Sequence, residues 1–472
     1  MRLRSALALL CLGLTAAAAG LAQDDGAGDV FPFPVHQSVL DNGLKVVVVP
    51  FDSPGIVAYY TVVRTGSRQE VEPGHSGFAH FFEHMMFRGT EKFPQAAYND
   101  ALKAMGADSN AFTTDDWTNY YIVGPAPELE RIIELESDRF INLRYTEPEF
   151  RTEALAVLGE YNKNASNPFF FLHERLREEA FEEHTYEHTT MGFLEDIQAM
   201  PGYYDYSLSF FDRFYRPENV IVLVVGDAEP EQVFELAKRY YGGWERGYKP
   251  VEIAVEPPQE EQRVAEVDWP NPTRPHLMMG WHVPAFDEET SDVAALDLVS
   301  QLLFSENAPL YQELVVDKQL VDFIGGGAGF RRDPYLFTVT SRLRSTEALP
   351  EVEATLERYL EGLKAEPVER ARLERIKSHL RYDFALALDS APSVADLVAE
   401  FLHLTTDPES INRLYDRYQA VTPEDVQRVA REYFRAENQT VVRLAYSEPT
   451  SPGAPASDGE GAGEATDSEG GE

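Results

Sequence analysis

The stretch GFAHFFEHMMFRGT (77–90) carries His80, Glu83 and His84 in the order H-x-x-E-H. On a helix, positions i, i+3 and i+4 lie on one face. Two imidazoles one turn apart can grip a single Zn2+, and the carboxylate between them can reach a water on the metal. Chance gives a five-residue match of this kind in roughly a few per cent of chains this long, so the motif needs a third protein ligand. Glu153 and Glu160 stand seven apart in EALAVLGE on a predicted helix. Two turns return them to nearly the same face, with a drift of about 20°. In a chain with 80 acids a solvated acidic stripe has the same spacing, and spacing alone does not choose between the two.

Other chemistries are harder to build from this sequence. The single cysteine, Cys11, leaves no disulfide framework and no Cys-based metal site. With 41 Lys and Arg against 80 Asp and Glu the formal charge is −39, which disfavours nucleic acid and anionic lipid and attracts cationic partners such as basic peptides. Residues 1–22 read as a signal sequence: Arg2 and Arg4, an apolar run over 6–14, then small residues over 16–22. That run is too short to span a bilayer of about 30 Å, so a periplasmic or secreted protein without membrane insertion is expected. A flexible segment is expected over 23–33. From Ser447 onward the tail has seven acids and no Lys, Arg or aromatic residue, and disorder is expected over 447–472. Most of the acidity therefore belongs to the rest of the chain.

Something must hold the site residues in place, and the elements fall into two similar halves. Strands are predicted over 46–49, 57–63, 119–123 and 220–225, and helices over 77–87, 96–105, 128–141, 149–162 and 230–241. Mixed runs of this kind imply an α+β sandwich, a sheet with helices packed on it. The segment FYRPENVIVLVVGD (214–227) is echoed by YFRAENQTVVRLAY (433–446) at an offset of 219. The strand, loop and helix over 57–87 have a counterpart over 276–304. Proline and acids over 247–262 read as a linker, giving one domain over 34–246 and a homologous one over 263–446.

The residues AHFFEHMMFRGT resemble those of the pitrilysin-type metallopeptidases, family M16, in its bacterial and mitochondrial-processing-peptidase-like branch. There the third ligand is a Glu about 76 residues beyond the second His, with another Glu seven residues before it. Glu160 and Glu153 match both positions. SNAFTTDDWTNYY (109–121) is similar to the family's N-A-x-T edge strand, and FEEHTYEHTTMG (181–192) to its F-x-x-H-P-Y segment, with Thr185 in place of Pro. The resemblance implies two α/β sandwich domains forming half of a clamshell chamber. It implies one zinc ion on His80, His84 and Glu160, Glu83 as general base, and Glu153 as a carboxylate orienting a ligand or the substrate. Asn110, Ala111 and Phe112 would bind substrate on an edge strand that a peptide extends.

The second half departs from the site. Asp297, Ser300 and Gln301 stand at the repeat positions of His80, Glu83 and His84. The family's second half supplies an Arg and a Tyr seven apart, expected on a helix in PLYQELVVDKQLVDF, where Val315 and Asp322 stand instead. Two arrangements follow: a heterodimer whose related partner subunit supplies that pair, or a homodimer using other donors such as Arg331 and Arg332, which otherwise read as a solvated loop. The Gly-rich run 325–329 reads as a mobile substrate loop or a turn before a strand. The function implied is a zinc metalloendopeptidase acting on extended peptides. The alternative is a non-catalytic peptide-binding or assembly subunit. If the acidity steers substrates, a basic peptide will be cut faster than an acidic isomer at low salt. The gap should close near roughly 0.5 M salt, where the Debye length is about 4 Å; equal rates at low salt would exclude steering.

Overall fold

The computed structural model describes residues 29–446, so the signal sequence expected over 1–22 and the tail expected over 447–472 lie outside the described residues. Eleven strands are found among the described residues: β1 (His36–Val39), β2 (Lys45–Pro50), β3 (Ile56–Val63), β4 (Asp108–Thr113), β5 (Thr118–Pro125), β6 (Val220–Gly226), β7 (Arg263–Trp269), β8 (His276–Val283), β9 (Val321–Gly327), β10 (Tyr335–Leu343) and β11 (Gln439–Tyr446). They form two sheets, in the orders β1-β2-β6-β3-β5-β4 and β7-β11-β8-β10-β9. Without β1 the two orders correspond strand for strand. Each sheet has one parallel pair, β2 with β6 and β7 with β11, in matching places. The sequence repeat is thus a structural repeat, and each half is a mixed sheet with helices packed on it.

Continuous apolar runs mark the central strands. Every residue of β6, VIVLVVG, is buried, which requires cover on both sheet faces. One face of the first sheet carries α1 (Phe78–Met85), α2 (Gln95–Met105), α3 (Leu129–Asn142) and α4 (Glu147–Ala165), in a core built on Val46, Tyr59, Phe81, Phe82, Ile132 and Phe150. Pro148 in the first turn and a capping box between Thr146 and Glu149 start α4.

The other face is covered from across the molecule. Helix Ala391–Thr405, from the second half, lies on β3 and β6, and Tyr60 on β3 donates its O–H to Asp396 at 2.7 Å. In return α5 (Pro168–Ala180), from the first half, lies on β7, β8 and β11. There Leu172 and Leu176 join Met278, Leu336, Val442 and Leu444 in one buried cluster. Each half therefore lends a helix to the other's sheet. Helical periodicity shows that a helix has an apolar face but not which sheet that face will meet.

Local expectations are revised at two places. The segment expected to be flexible over 23–33 is packed in its described part: Phe31 is buried, its N–H reaches Asn412 at 2.9 Å, and its ring meets Phe33 edge-on. Residues 247–262 form neither helix nor strand, yet the Glu256 carboxylate pins them by accepting the backbone N–H groups of Glu182, Glu183 and His184 at 2.9–3.1 Å.

Because the halves share buried helices, they should unfold together. Leu176→Ala removes a fully buried side chain of α5 and should cost about 2–5 kcal/mol. In urea, tryptophan fluorescence and far-UV circular dichroism should still report one coincident transition, shifted to lower denaturant; two separate transitions would mean that the exchanged helices do not couple the halves.

Candidate metal centre

Two devices fix the start of α1. Gly77 holds φ +86°, and a β-carbon there would come within 2.3 Å of Ile197 and 2.9 Å of the Met191 carbonyl oxygen, so only glycine fits. The buried Glu70 carboxyl group then accepts the N–H groups of Gly77 and Ala79 at 2.7 and 2.6 Å, satisfying orphan donors at the start of the helix. Phe78, Phe81, Phe82 and Met85 are buried in the core. The remaining face presents His80, Glu83 and His84 toward α4 and β4.

Glu160 comes to this face from α4. His84 Nε2 lies 3.4 Å and His80 Nε2 3.8 Å from Glu160 Oε2. The three donor atoms fall within 4.8 Å of one another. The two separations from Glu160 are long for hydrogen bonds but close to the edge of about 3.4 Å expected between ligands held tetrahedrally at about 2.05 Å. Two imidazoles and one carboxylate are also a donor set of catalytic zinc sites. Exposure rises from 10% at the His80 side chain to 40% at Glu160, so the group opens to solvent on one side.

The surroundings prepare the imidazoles unequally. Burial, reinforced by His84, pushes His80 down to about 3 and keeps it neutral, with a lone pair to give. Its Nδ1 is buried without a hydrogen-bond partner among the described residues. Burial also opposes charge on His84, but the bond to Glu153 and the charges of Glu153, Glu160 and Glu83 outweigh it and raise it. Glu153 Oε1 sits 2.9 Å from His84 Nδ1, which turns Nε2 toward Glu160. Its other oxygen is held by Arg88, just beyond α1. Burial would lift Glu153, yet His84 and Arg88 hold it below the usual carboxylate range.

Glu83 stays outside the ligand triangle. Its Oε2 accepts the Thr113 hydroxyl at 2.6 Å, and burial raises its carboxyl, with Thr113 and His84 pulling against it and Glu160 adding to it. Thr113 ends β4, the edge strand of its sheet. The three residues expected to bind substrate all lie on β4, with side chains pointing different ways. Asn110 is exposed, its Oδ1 accepting the Ala111 N–H. Ala111 packs in the core around α1, and Phe112 turns to the opposite face against Trp117.

Comparison with known proteins fits this arrangement. A family model described as Insulinase (Peptidase family M16) matches residues 47–193, and one described as Peptidase M16 inactive domain matches 204–380. A Helicobacter pylori protein named zinc protease PqqE is 31% identical over 426 residues, covering 87% of this chain and 93% of its own. The chain belongs to peptidase family M16. A crystal structure of a protease from Helicobacter pylori superposes with a TM-score of 0.81 at 31% identity, over 88% of this chain and all of that one. The fold also matches the first half of the periplasmic protease PqqL from Escherichia coli, with a TM-score of 0.70 at 19% identity. Against the whole of PqqL, this M16 chain covers 48% of the length.

Other residues singled out in the sequence lie elsewhere in the M16 fold. Arg331 and Arg332 form neither a solvated loop nor free donors. Arg331 Nε bonds Asp115 at 3.1 Å over the ring of Tyr335; the Arg332 backbone N–H bonds Asp116 at 2.9 Å, and its guanidinium donates to the Arg64 carbonyl oxygen. His184 bonds Asp333 at 2.9 Å, and His188 the Thr189 carbonyl oxygen. Gly325, Gly326 and Gly327 are part of β9, paired with β10, not a mobile loop. Asp322, expected on a helix, also lies in β9 and pairs with Arg274 and Arg342, because the helix breaks off in a π-helical turn at Gln312–Asp317. The reasoning from sequence missed Glu70, Arg88, Thr113 and Asp115. Their one signal is a polar residue next to the motif or the edge strand, and contacts across tens of residues give it meaning.

Replacing Glu153 with Gln should weaken divalent-ion binding about 10–100-fold, as loss of a ligand's hydrogen-bond partner does. Competition against a chelator measures it; unchanged affinity would leave Glu153 only the task of holding Arg88.

Proposed function

We propose that the chain is a secreted zinc metalloendopeptidase that hydrolyses peptides or unfolded segments held in extended form. The observation that carries this reading is the group of His80, His84 and Glu160, with Glu160 Oε2 3.4 Å and 3.8 Å from the two imidazoles and the half-buried Glu83 carboxylate on the same helix face. His80, His84 and Glu160 would hold one Zn2+. When bound, zinc supplies Lewis acidity toward a peptide carbonyl and a water. Glu83, aimed by the Thr113 hydroxyl, takes a proton from the attacking water at its carboxylate and passes it to the leaving amine. The burial that raises Glu83 suits both directions of that transfer. Glu153 keeps His84 turned to the ion. The free edge of β4 aligns the substrate as an added strand through backbone bonds, which suits side chains as unlike as those of Asn110, Ala111 and Phe112.

A related partner subunit is part of this reading. The family's Arg/Tyr pair has no counterpart at Val315 and Asp322, and the Arg331 and Arg332 guanidinium groups are engaged with Asp115 and the Arg64 carbonyl oxygen. Two such chains closing as a clamshell would unite the zinc half with donors from the partner. Coverage of 48% of PqqL supports a chain that is one half of a larger chamber. Residues 1–22 support export to the periplasm or beyond.

A peptidase assay of the zinc-loaded chain, alone and with any co-purifying homologue, tests both points. Glu83→Gln should lower peptide hydrolysis by about 10²–10⁴-fold and leave zinc content intact. Activity surviving in that variant would overturn the mechanism, and full turnover by the chain alone would remove the partner.

A further inference from the structure

The second half keeps a cavity at the place that corresponds to the metal centre. In the first half the site lies between α1 and the end of β4. In the second half, helix Asp292–Phe304 packs in the same way on β9. Asp297 stands on that helix at the repeat position of His80. It faces a cavity of about 340 Å³, walled by Val283, Phe286, Leu296 and Phe330 and closed by Tyr418. The Phe286 and Phe330 rings meet edge-on at 5.2 Å.

Asp297 is the anomaly in this cavity. Its Oδ2 accepts the Tyr418 O–H at 2.8 Å, and among the described residues it makes no ion pair. Several other shielded acids are met by cations: Asp115 by Arg177 and Arg331, Glu153 by Arg88, Asp322 by two arginines. Asp297, like Asp396, is met by a tyrosine hydroxyl, and it lines a cavity. A carboxylate against aliphatic and aromatic walls is poorly solvated without a counter-charge. Burial accordingly lifts its carboxyl above the usual range, with the Tyr418 hydroxyl pulling the other way. Anions are excluded by its charge, and a purely apolar occupant would leave it unpaired. A cation with an apolar body satisfies both the carboxylate and the walls, and aromatic faces add their own attraction for an ammonium. The volume is at the small end of ligand sites, enough for one ring and a short arm.

We infer that this cavity binds a protonated primary amine with a short apolar body, its ammonium seated on Asp297 and its body against Phe286, Leu296 and Phe330. The site needs neither the metal nor the peptidase reading.

Calorimetric titration of the full chain near neutral pH tests this, with phenethylamine as the probe and 2-phenylethanol as its neutral isostere. The amine should bind saturably, and about tenfold or more tighter than the alcohol, because only the ammonium makes a charge-assisted bond. Asp297→Asn, close to isosteric, should abolish that preference. No saturation by the amine up to about 10 mM, equal binding of amine and alcohol, or an unchanged preference in Asp297→Asn would each overturn the assignment. Should Asp297→Asn fail to fold, the comparison of amine with alcohol on the native chain still decides.

Discussion

Two adjacent buried carboxylates, Asp115 and Asp116, close the turn after the edge strand β4. Side by side they repel each other, and away from water they persist only if cations and donors reach them. Arg177 meets Asp115 at 2.9 Å from α5, and Arg331 meets it from the second half. Asp116 accepts the Tyr186 hydroxyl and the Arg332 N–H. Burial alone would lift Asp115; Arg177 and Arg331 outweigh it and hold it well below the usual carboxylate range. Thr113 lies two residues upstream of Asp115, and its hydroxyl aims Glu83. The orientation of that carboxylate therefore depends on charges delivered across the seam between the halves.

The exchanged helices give the same dependence in apolar terms. Arg177 belongs to the first half, but α5, which carries it, is seated on the second sheet by Leu172 and Leu176. Helix Ala391–Thr405 in turn covers the face of β3 and β6 behind the metal group. Each sheet has one buried face that its own half leaves bare. A first half on its own would expose that face and leave Asp115 and Asp116 without Arg331. The second half, though Asp297, Ser300 and Gln301 stand where the ligands would be, is thus a working part of the site.

Much of this could be read from sequence, and the limit has a physical form. The shared face of His80, Glu83 and His84 was legible because helical spacing fixes which side chains lie together. Spacing left Glu160 undecided, the family resemblance singled it out, and α4 brings it beside the two imidazoles. Strands such as β6 were legible from their apolar runs, and the duplication from the offset between the Phe214 and Tyr433 segments. Contacts governed by distant pairing were not. Arg331 and Arg332 look like a surface loop in sequence because Asp115 and Asp116 lie 216 residues away. Gly325–Gly327 look like a turn because an edge strand needs only one neighbour, and β10 supplies it. Phe31 looked flexible because its partner, Asn412, is 381 residues on.

The distribution of arginine sharpens the meaning of the acidity. The chain has about half as many basic as acidic groups, and several of its arginines are spent inside, each fixing a particular carboxylate. Unlike lysine, arginine keeps its charge on burial and presents a planar fork to a carboxylate, so Arg88 can hold Glu153 in one orientation against His84. Around the two imidazoles stand three carboxylates, Glu83, Glu153 and Glu160, with Arg88 as the one guanidinium among the described residues bonded to them. Formally that leaves two negative charges on a partly open face, the charge that one divalent cation neutralises. The geometry that gathers the three donor atoms also gathers this charge, and Glu153 serves both by turning His84 while being neutralised by Arg88.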